Sequence, residues 1–481
     1  MASIAIIGAG CSGTLVSRAL ASRVSQRSIS EVLLFDKSST FGPGLPYGQD
    51  TNDEGFLLNM KSSLLGVDSC TAGDFAHWLK DSSPQVEGLM QEYAPRILMG
   101  QYLQEVVSDI AQKFNHSGIQ FARVNASVRN VRRTSAGFEV HTANGVRLVD
   151  YIVLAVGHLR KRSAFPDIEQ YFSNPYHDLS RIKKIPAGSK VGVLGTKLTA
   201  VDMALLLRRI GVAHVHMFSN SGQLPLVRGL IPTSCEDVAF EKCPGKSILD
   251  FFRWFRREKT YAPEYVGFIT MRDVSVRLEH EIEAAAHVRD WQLWLDGSKG
   301  WIDDYWLRMS TKEKRRFYRK YQGLWMSYRH PMPLANALKI RSMLRAGELS
   351  VHAGYKSMRL KANEHFEVDV SDSLLELDYV IDATGVSGNL AKLDSVLVEN
   401  LIDSGMLSQY EFGGVAIDPE THQLFEQPGA YAIGPLTQGS LFYVSAMERL
   451  VIHAERVAEH IVKSQCPARS VHNPLYVGAR S

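Results

Sequence analysis

The stretch IAIIGAGCSGTLVSRAL, residues 4–20, decides the fold. Ile4–Ile7 reads as a buried strand, and Thr14–Leu20 has the apolar spacing of a helix laid against it. Gly8, Gly10 and Gly13 fall between the two. In this G-x-G-x-x-G order the first glycine permits a tight turn and the second lets a pyrophosphate approach bare backbone. The third lets helix and strand pack closely, with the diphosphate on the positive end of the helix. Glycine also marks ordinary strand-to-helix turns, so the context has to carry the reading. Here the next apolar run, Glu31–Phe35, ends on Asp36, an acid placed to accept hydrogen bonds from an adenosine ribose. Strand, turn, helix, strand and acid together point to a dinucleotide.

The rest of the chain bounds what that unit belongs to. At 481 residues it exceeds one ordinary core, so two or three domains are expected. Hydrophobic residues make up 45% and charged residues 22%, the balance of a soluble globular protein. A net charge of +3 implies neither nucleic acid nor an anionic membrane as a partner. Cys11, Cys70, Cys235, Cys243 and Cys466 form no C-x-x-C and have no histidines at zinc spacing, so no metal is expected and a reducing compartment is. Cys11, inside the glycine turn, reads as a small packing residue. No apolar run reaches 18 residues, and the first strand begins at Ile4, which leads us to expect a cytoplasmic protein without a signal peptide.

A second unit repeats the plan in mid-chain. Lys190–Leu194 is strand-like, Gly195-Thr196-Lys197 is the turn, Leu198–Leu207 is helix-like, and His214–Phe218 supplies the second strand. Lys197 stands where the middle glycine would touch pyrophosphate. Its side chain narrows the approach, although its ammonium could itself hold a phosphate. Ser219-Asn-Ser-Gly222 follows the second strand with no arginine for a 2′-phosphate, so NADH and NADPH both stay open, as does a structural domain that no longer binds either.

Apolar runs stopping at glycine complete the pattern: Tyr151–Gly157 before His158, Leu377–Gly385, and Gly429–Gly434, the last followed by an amphipathic helix from about Tyr443 to Val462. We expect an α/β protein with two Rossmann-like dinucleotide-binding domains and a helical, Trp-rich insertion. The FAD-binding domain would comprise 1–186 and 377–481, the NAD(P)H-binding domain 187–234 and 346–376, and the insertion 235–345.

The chain resembles the two-dinucleotide-binding-domain flavoproteins, within them the FAD/NAD(P)-binding family that includes FAD-dependent urate hydroxylase and certain amino-acid N-hydroxylases. The resemblance rests on Gly8-Ala-Gly-Cys-Ser-Gly13, Gly42-Pro-Gly-Leu-Pro-Tyr47-Gly48, Phe56-Leu-Leu-Asn59-Met60, Ala155-Val-Gly-His158, Gly195 to Asp202, and Gly434-Pro-Leu-Thr437. It thins between about residues 235 and 345. It implies that Gly8, Gly10, Gly13, Asp36, Lys37, Asn59, Met60, Gly434 and Thr437 contact FAD. It likewise implies that Gly195, Thr196, Lys197, Thr199 and Asp202 face NADPH or NADH. Relatives commonly carry arginine after the strand that here ends at Phe218; this chain does not.

Six of the seven tryptophans, Trp254, Trp291, Trp294, Trp301, Trp306 and Trp325, lie in the insertion beside basic helical stretches such as Phe251–Arg257 and Thr311–Tyr321. Basic and aromatic helices can bind nucleic acid, but Glu258, Glu279, Glu281, Glu283 and Asp303 dilute the charge. An amphipathic helical layer with an aromatic buried face is expected instead, serving as a lid over a substrate pocket or simply as packing. Where it rejoins the nucleotide fold, Arg329 could pair with a carboxylate or a purine oxygen and His330 could shuttle a proton near neutral pH. The same two residues also suit a helix boundary at a proline turn, and His158 suits a turn.

The function expected from this reading is a single-component flavin monooxygenase. NAD(P)H reduces FAD, and O2 forms a C4a-hydroperoxide that passes one oxygen to a nitrogen or carbon of a small metabolite. Such chemistry needs few catalytic side chains, in keeping with the absence of a Ser-His-Asp, thiol–base or metal constellation. Two alternatives stay open: an NAD(P)H-dependent flavin oxidoreductase without oxygen transfer, and a flavoprotein whose second site is vestigial.

Overall fold

Five parallel strands form the first sheet in the order Ala430–Ala432, Tyr151–Leu154, Ala2–Ile7, Ile29–Asp36, Gln120–Asn125. They come from a computed structural model that describes residues 1–24, 28–69, 73–82, 93–231, 242–257, 273–362, 364–371 and 373–465. The central strand is buried on both faces, as an all-parallel sheet with covered faces requires. One face packs on the helices Cys11–Ala21, Arg96–His116 and Met447–Gln465. The strand and helix near the end of the described chain thus return to the first glycine turn, as expected. The final helix begins at Met447 rather than Tyr443.

A second parallel sheet has the order Leu349–His352, His214–Phe218, Lys190–Leu194, Tyr379–Asp382, Tyr171–Phe172. This corrects the expected boundaries in three places. Tyr171–Phe172 and Tyr379–Asp382, assigned to the FAD-binding parts, belong to the second sheet. Helix Leu334–Arg345, assigned to the insertion, buries Ala337, Ile340 and Met343 in the second core as the crossover before Leu349–His352. An apolar run such as Val380-Ile381 shows that a strand is buried on both faces, not in which sheet.

The two units are built alike. In each, a three-stranded antiparallel meander, Val128–Val149 or Ser357–Leu377, leads directly into the strand beside the unit's first strand. In each, the first turn glycine lies against that strand's end. A Cβ on Gly8 (φ +106°) would come 2.3 Å from the Ala155 carbonyl oxygen, and one on Gly195 (φ +126°) 2.8 Å from that of Ala383.

The insertion is helical, as expected, and its tryptophans form a core of their own. Trp254, Trp294, Trp301 and Trp306 are buried with Phe255, Tyr305 and Tyr328, while Trp291 and Trp325 pack against them. A separate apolar cavity of about 70 Å³ lies within this core. The insertion is bonded to the first domain: Trp306 Nε1 donates to the Gly439 carbonyl at 2.9 Å, and buried Asp303 pairs with Arg449 of the last helix. Cys70, Cys235, Cys466 and Glu258 lie outside the described residues.

Closest packing in the first unit is at Gly13, where a Cβ would stand 1.9 Å from the Gly8 carbonyl oxygen. Gly13→Ala is expected to lower stability by about 3 kcal/mol, the upper part of the overpacking range. Gly157→Ala, with φ +63° and nothing within 4 Å of an added Cβ, should cost only the ~1–2 kcal/mol of left-handed strain. Urea unfolding of the two variants checks the order.

Candidate functional site

The first turn leaves the start of its helix open. Helix Cys11–Ala21 starts at Gly10 with no side-chain cap and no acidic residue in its first turn, leaving its positive end open to an anion. Gly10 faces Gly44 of the neighbouring loop so closely that a Cβ would meet Gly44 Cα at 3.1 Å. Asp36 sits at the end of its strand with each carboxylate oxygen accepting one amide, Ala9 N and Ser38 N, both at 2.8 Å. Each oxygen keeps lone-pair capacity for a ribose hydroxyl. Lys37 is exposed beside it. Gly434 (φ +79°) brings the last strand's turn against Ser12, and buried Thr437 donates to the Gly434 carbonyl at 2.8 Å. Its hydroxyl therefore holds the turn.

The second turn is built differently at one place. Helix Leu198–Arg209 is likewise uncapped by any side chain, and buried Ala200 stands where the first unit has Gly13. Lys197, however, directs its ammonium to the Gln223 carbonyl at 3.0 Å and to the Ser327 hydroxyl of the insertion. Burial, with Arg277 nearby, lowers its pKa to about 7. Thr196 is buried, its hydroxyl donating to the Gln223 carbonyl at 2.8 Å. In this arrangement Lys197 ties turn to insertion, a role the sequence did not reveal.

Between the two units and the insertion lies a cavity of about 280 Å³. Of the residues singled out from the sequence, Asn59, Met60, His158, Thr199, Arg329 and His330 line it, together with Tyr47. Gly8, Gly10, Gly13, Asp36, Lys37, Gly434 and Thr437 do not, nor do Gly195, Thr196, Lys197 and Asp202. None of the tryptophans lines it, so the aromatic insertion supports the cavity while Arg329 and His330 reach it. Ser445 and Ala446, just before the last helix, and its first residues, Met447 and Glu448, complete the wall.

Several wall residues carried no local signal in the sequence. Arg96, in the first turn of helix Arg96–His116, crosses to the second unit and pairs with buried Asp202 at 2.8 Å while donating to Tyr176 Oη at 3.1 Å. Burial raises the Asp202 pKa to about 6, with Arg96 opposing the rise. Lys161 pairs with Asp382 at 2.9 Å, and Glu448 with Lys299. A lone arginine after a proline and a lone lysine in a loop are not distinguishable in sequence from surface charges.

Burial lowers the basicity of both histidines that line the cavity. Burial lowers His158 to about 4, and burial with Arg329 and Arg228 nearby lowers His330 to about 3. With its pKa lowered, His330 is a neutral hydrogen-bonding group at neutral pH. Burial also pushes the Cys11 thiol up to about 12, in keeping with a packing role.

Residues 5–159 match a family model described as FAD-NAD(P)-binding. An Escherichia coli K12 protein, uncharacterized protein YdhS, is 28% identical over 218 residues, 43% of this chain and 39% of that protein; the match thus spans about two fifths of the relative's length. L-lysine 6-monooxygenase from Pseudomonas syringae superposes with a TM-score of 0.62 at 14% identity, covering 96% of this chain and 99% of that one. Bacillithiol disulfide reductase from Staphylococcus aureus superposes with a TM-score of 0.53, also at 14% identity and over 96% and 99% of the two chains. At such identities the likeness is one of fold. Residues 5–159 thus form an FAD-NAD(P)-binding domain, and the chain as a whole has the fold of flavoproteins with two dinucleotide-binding units. Among the described residues no cluster could hold a metal ion, and no helix is long and apolar enough to cross a membrane.

Removing one partner of a buried ion pair strands the other. Arg96→Met should therefore destabilise the protein by ~3–5 kcal/mol, and Arg96→Met/Asp202→Leu by much less, as measured by chemical denaturation. Acid should act through the histidines. His158 and His330 refuse protons when folded that they accept when unfolded at their ordinary pKa of 6.5. The unfolded state binds more protons below that pH, so stability is full above about 6.5 and declines as pH falls toward 4. Melting temperatures across this range should fall, and His330→Phe should flatten the decline.

Proposed function

We propose that this chain is an NAD(P)H-driven flavin monooxygenase that adds one oxygen atom from O2 to a nitrogen or carbon of a small metabolite. The cavity at the junction of the two nucleotide units and the insertion carries the reading: it has the volume for a small molecule, and among the described residues no thiol lines it. The reading places FAD on Gly8, Gly10, Gly13, Asp36, Lys37, Asn59, Met60, Gly434 and Thr437. It places the reduced nicotinamide nucleotide on Gly195, Thr196, Lys197, Thr199 and Asp202. Bound there, FAD would supply both electron storage and the activation of O2.

The chain's own part is to exclude water and orient. Tyr47, Tyr176, Tyr443 and Met60 form an apolar wall, and Arg96–Asp202 and Lys161–Asp382 fix the seam between the two units. Neutral His158 and His330 can each hold a hydrogen bond at a ring nitrogen without adding charge. Strand His214–Phe218 ends on Ser219, whose amide donates to the His352 carbonyl. With neither an acid nor an arginine at that end, both NADH and NADPH remain possible reductants. A reductase working through a thiol is disfavoured, since burial keeps the Cys11 thiol protonated.

One observation favours a second reading. Lys197 occupies the middle-glycine position, and its ammonium is already committed to Gln223 and Ser327. A flavoprotein that no longer uses a nicotinamide nucleotide would look the same at this turn.

Anaerobic titration separates the readings. With FAD bound, NADH or NADPH is expected to bleach the flavin band at about 450 nm. Readmitted O2 should then be consumed, releasing less hydrogen peroxide when a true substrate is present. Bleaching without substrate-dependent oxygen transfer indicates the oxidoreductase alternative. No bleaching with either nucleotide assigns Lys197 to a retired site.

A further inference from the structure

Among the described residues, the cavity is lined by three cations, Arg96, Lys161 and Arg329, and two carboxylates, Asp382 and Glu448, and the partners just behind them keep the same surplus of one. Arg96 faces Asp202 at 2.8 Å and Lys161 faces Asp382 at 2.9 Å, so these pairs cancel. On the insertion side three cations share two carboxylates. Arg228 lies 2.9 Å from Asp296, and Lys299 lies 3.3 Å from Asp296 and also against Glu448. Arg329 is the outlying partner, 3.4 Å from Asp296 and 3.9 Å from Glu448.

The surplus sits on Arg329. Its side chain is 3% exposed, its guanidinium lies 4.3 Å from the centre of the Tyr443 ring, and its Nη2 has no hydrogen-bond partner among the described residues. The 3.9 Å approach to Glu448 is too long to supply one. A buried guanidinium N–H without an acceptor is costly, and the guanidinium fork suits a carboxylate. Both Arg329 and Tyr443 line the cavity. The flat face of Tyr443 and the ring of His330, whose centroids are 5.5 Å apart, give the same region an unsaturated wall.

We propose that Arg329 receives the carboxylate of a monoanionic substrate whose body lies along Tyr443 and His330. One surplus charge matches one carboxylate; a phosphate dianion would leave a buried negative charge uncompensated. The inference rests on the monooxygenase reading for the word substrate, and the binding it asserts is measurable without oxygen or nicotinamide nucleotide.

The test uses the full chain loaded with FAD and three probes of one shape: benzoate, benzamide and benzylamine, with inorganic phosphate as a fourth. Each is titrated anaerobically against the visible flavin spectrum and the melting temperature. Benzoate is expected to bind saturably and raise the melting temperature, with benzamide at least tenfold weaker and benzylamine silent. Arg329→Gln should weaken benzoate at least tenfold while leaving benzamide unchanged, and Arg329→Lys should restore part of the loss. Retained FAD serves as the check on folding. If the glutamine variant does not fold, the wild-type probe series and the lysine variant decide the matter. Equal binding of benzoate and benzamide, no binding of either, or tighter binding of phosphate than of benzoate would overturn the proposal. So would undiminished benzoate binding in Arg329→Gln accompanied by a shifted flavin potential, which would assign the charge to the reduced flavin. Carboxylate-selective binding without oxygen transfer would sink the monooxygenase reading and leave the anion seat standing.

Discussion

Buried charge shared between separate parts of the chain shapes this molecule around its cavity. Arg96 belongs to a helix of the first unit, Asp202 to the first helix of the second, and each is largely out of water. Neither charge tolerates that burial alone, so the two units are held in the relative position at which the pair closes. Apolar packing is non-directional and would permit sliding between two sheets of similar character. An ion pair at 2.8 Å, backed by Tyr176, does not. The cavity is the space left beside that constraint.

The two nucleotide units show how one backbone solution is reused and then diverges. Both place a left-handed glycine against the end of the neighbouring strand, and both precede that strand with an antiparallel meander. The divergence is confined to the helix start. Gly10 leaves bare backbone opposite Gly44, whereas Lys197 extends a side chain out of the turn and anchors it to Ser327 of the insertion. The second turn therefore exchanges openness toward a ligand for a bond to the element that roofs the cavity.

Much of this was legible because it is local. The glycine order, the strand ending on Asp36 and the recurrence of the plan at Gly195 are patterns within about thirty residues, and the structure has these elements where the patterns put them. Asn59, Thr199, Arg329 and His330 were singled out and do line the cavity. What was not legible is long-range. Tyr379–Asp382 looks like any buried strand, and only its pairing with Lys190–Leu194 assigns it to the second sheet. Arg96 and Lys161 acquire their character from partners more than a hundred residues away. The surroundings of His330 were hidden for a related reason: no pattern around Tyr328-Arg-His330 announces that the ring is buried beside Arg329 and Arg228.

The tryptophans teach a further point about composition. Their abundance correctly indicated an aromatic core, but that core fills the insertion and leaves the cavity wall to tyrosine, methionine and charged residues. A rigid aromatic body of this kind is useful because its position has to be defined from outside. Two consecutive residues at the start of the last helix do so: Glu448 pairs with Lys299, and Arg449 pairs with buried Asp303, where His453 also approaches at 3.3 Å. The same helix start lines the cavity and packs on the helix that follows the first glycine turn. The insertion and the helix after the first glycine turn are therefore both joined to one element, the start of the last helix.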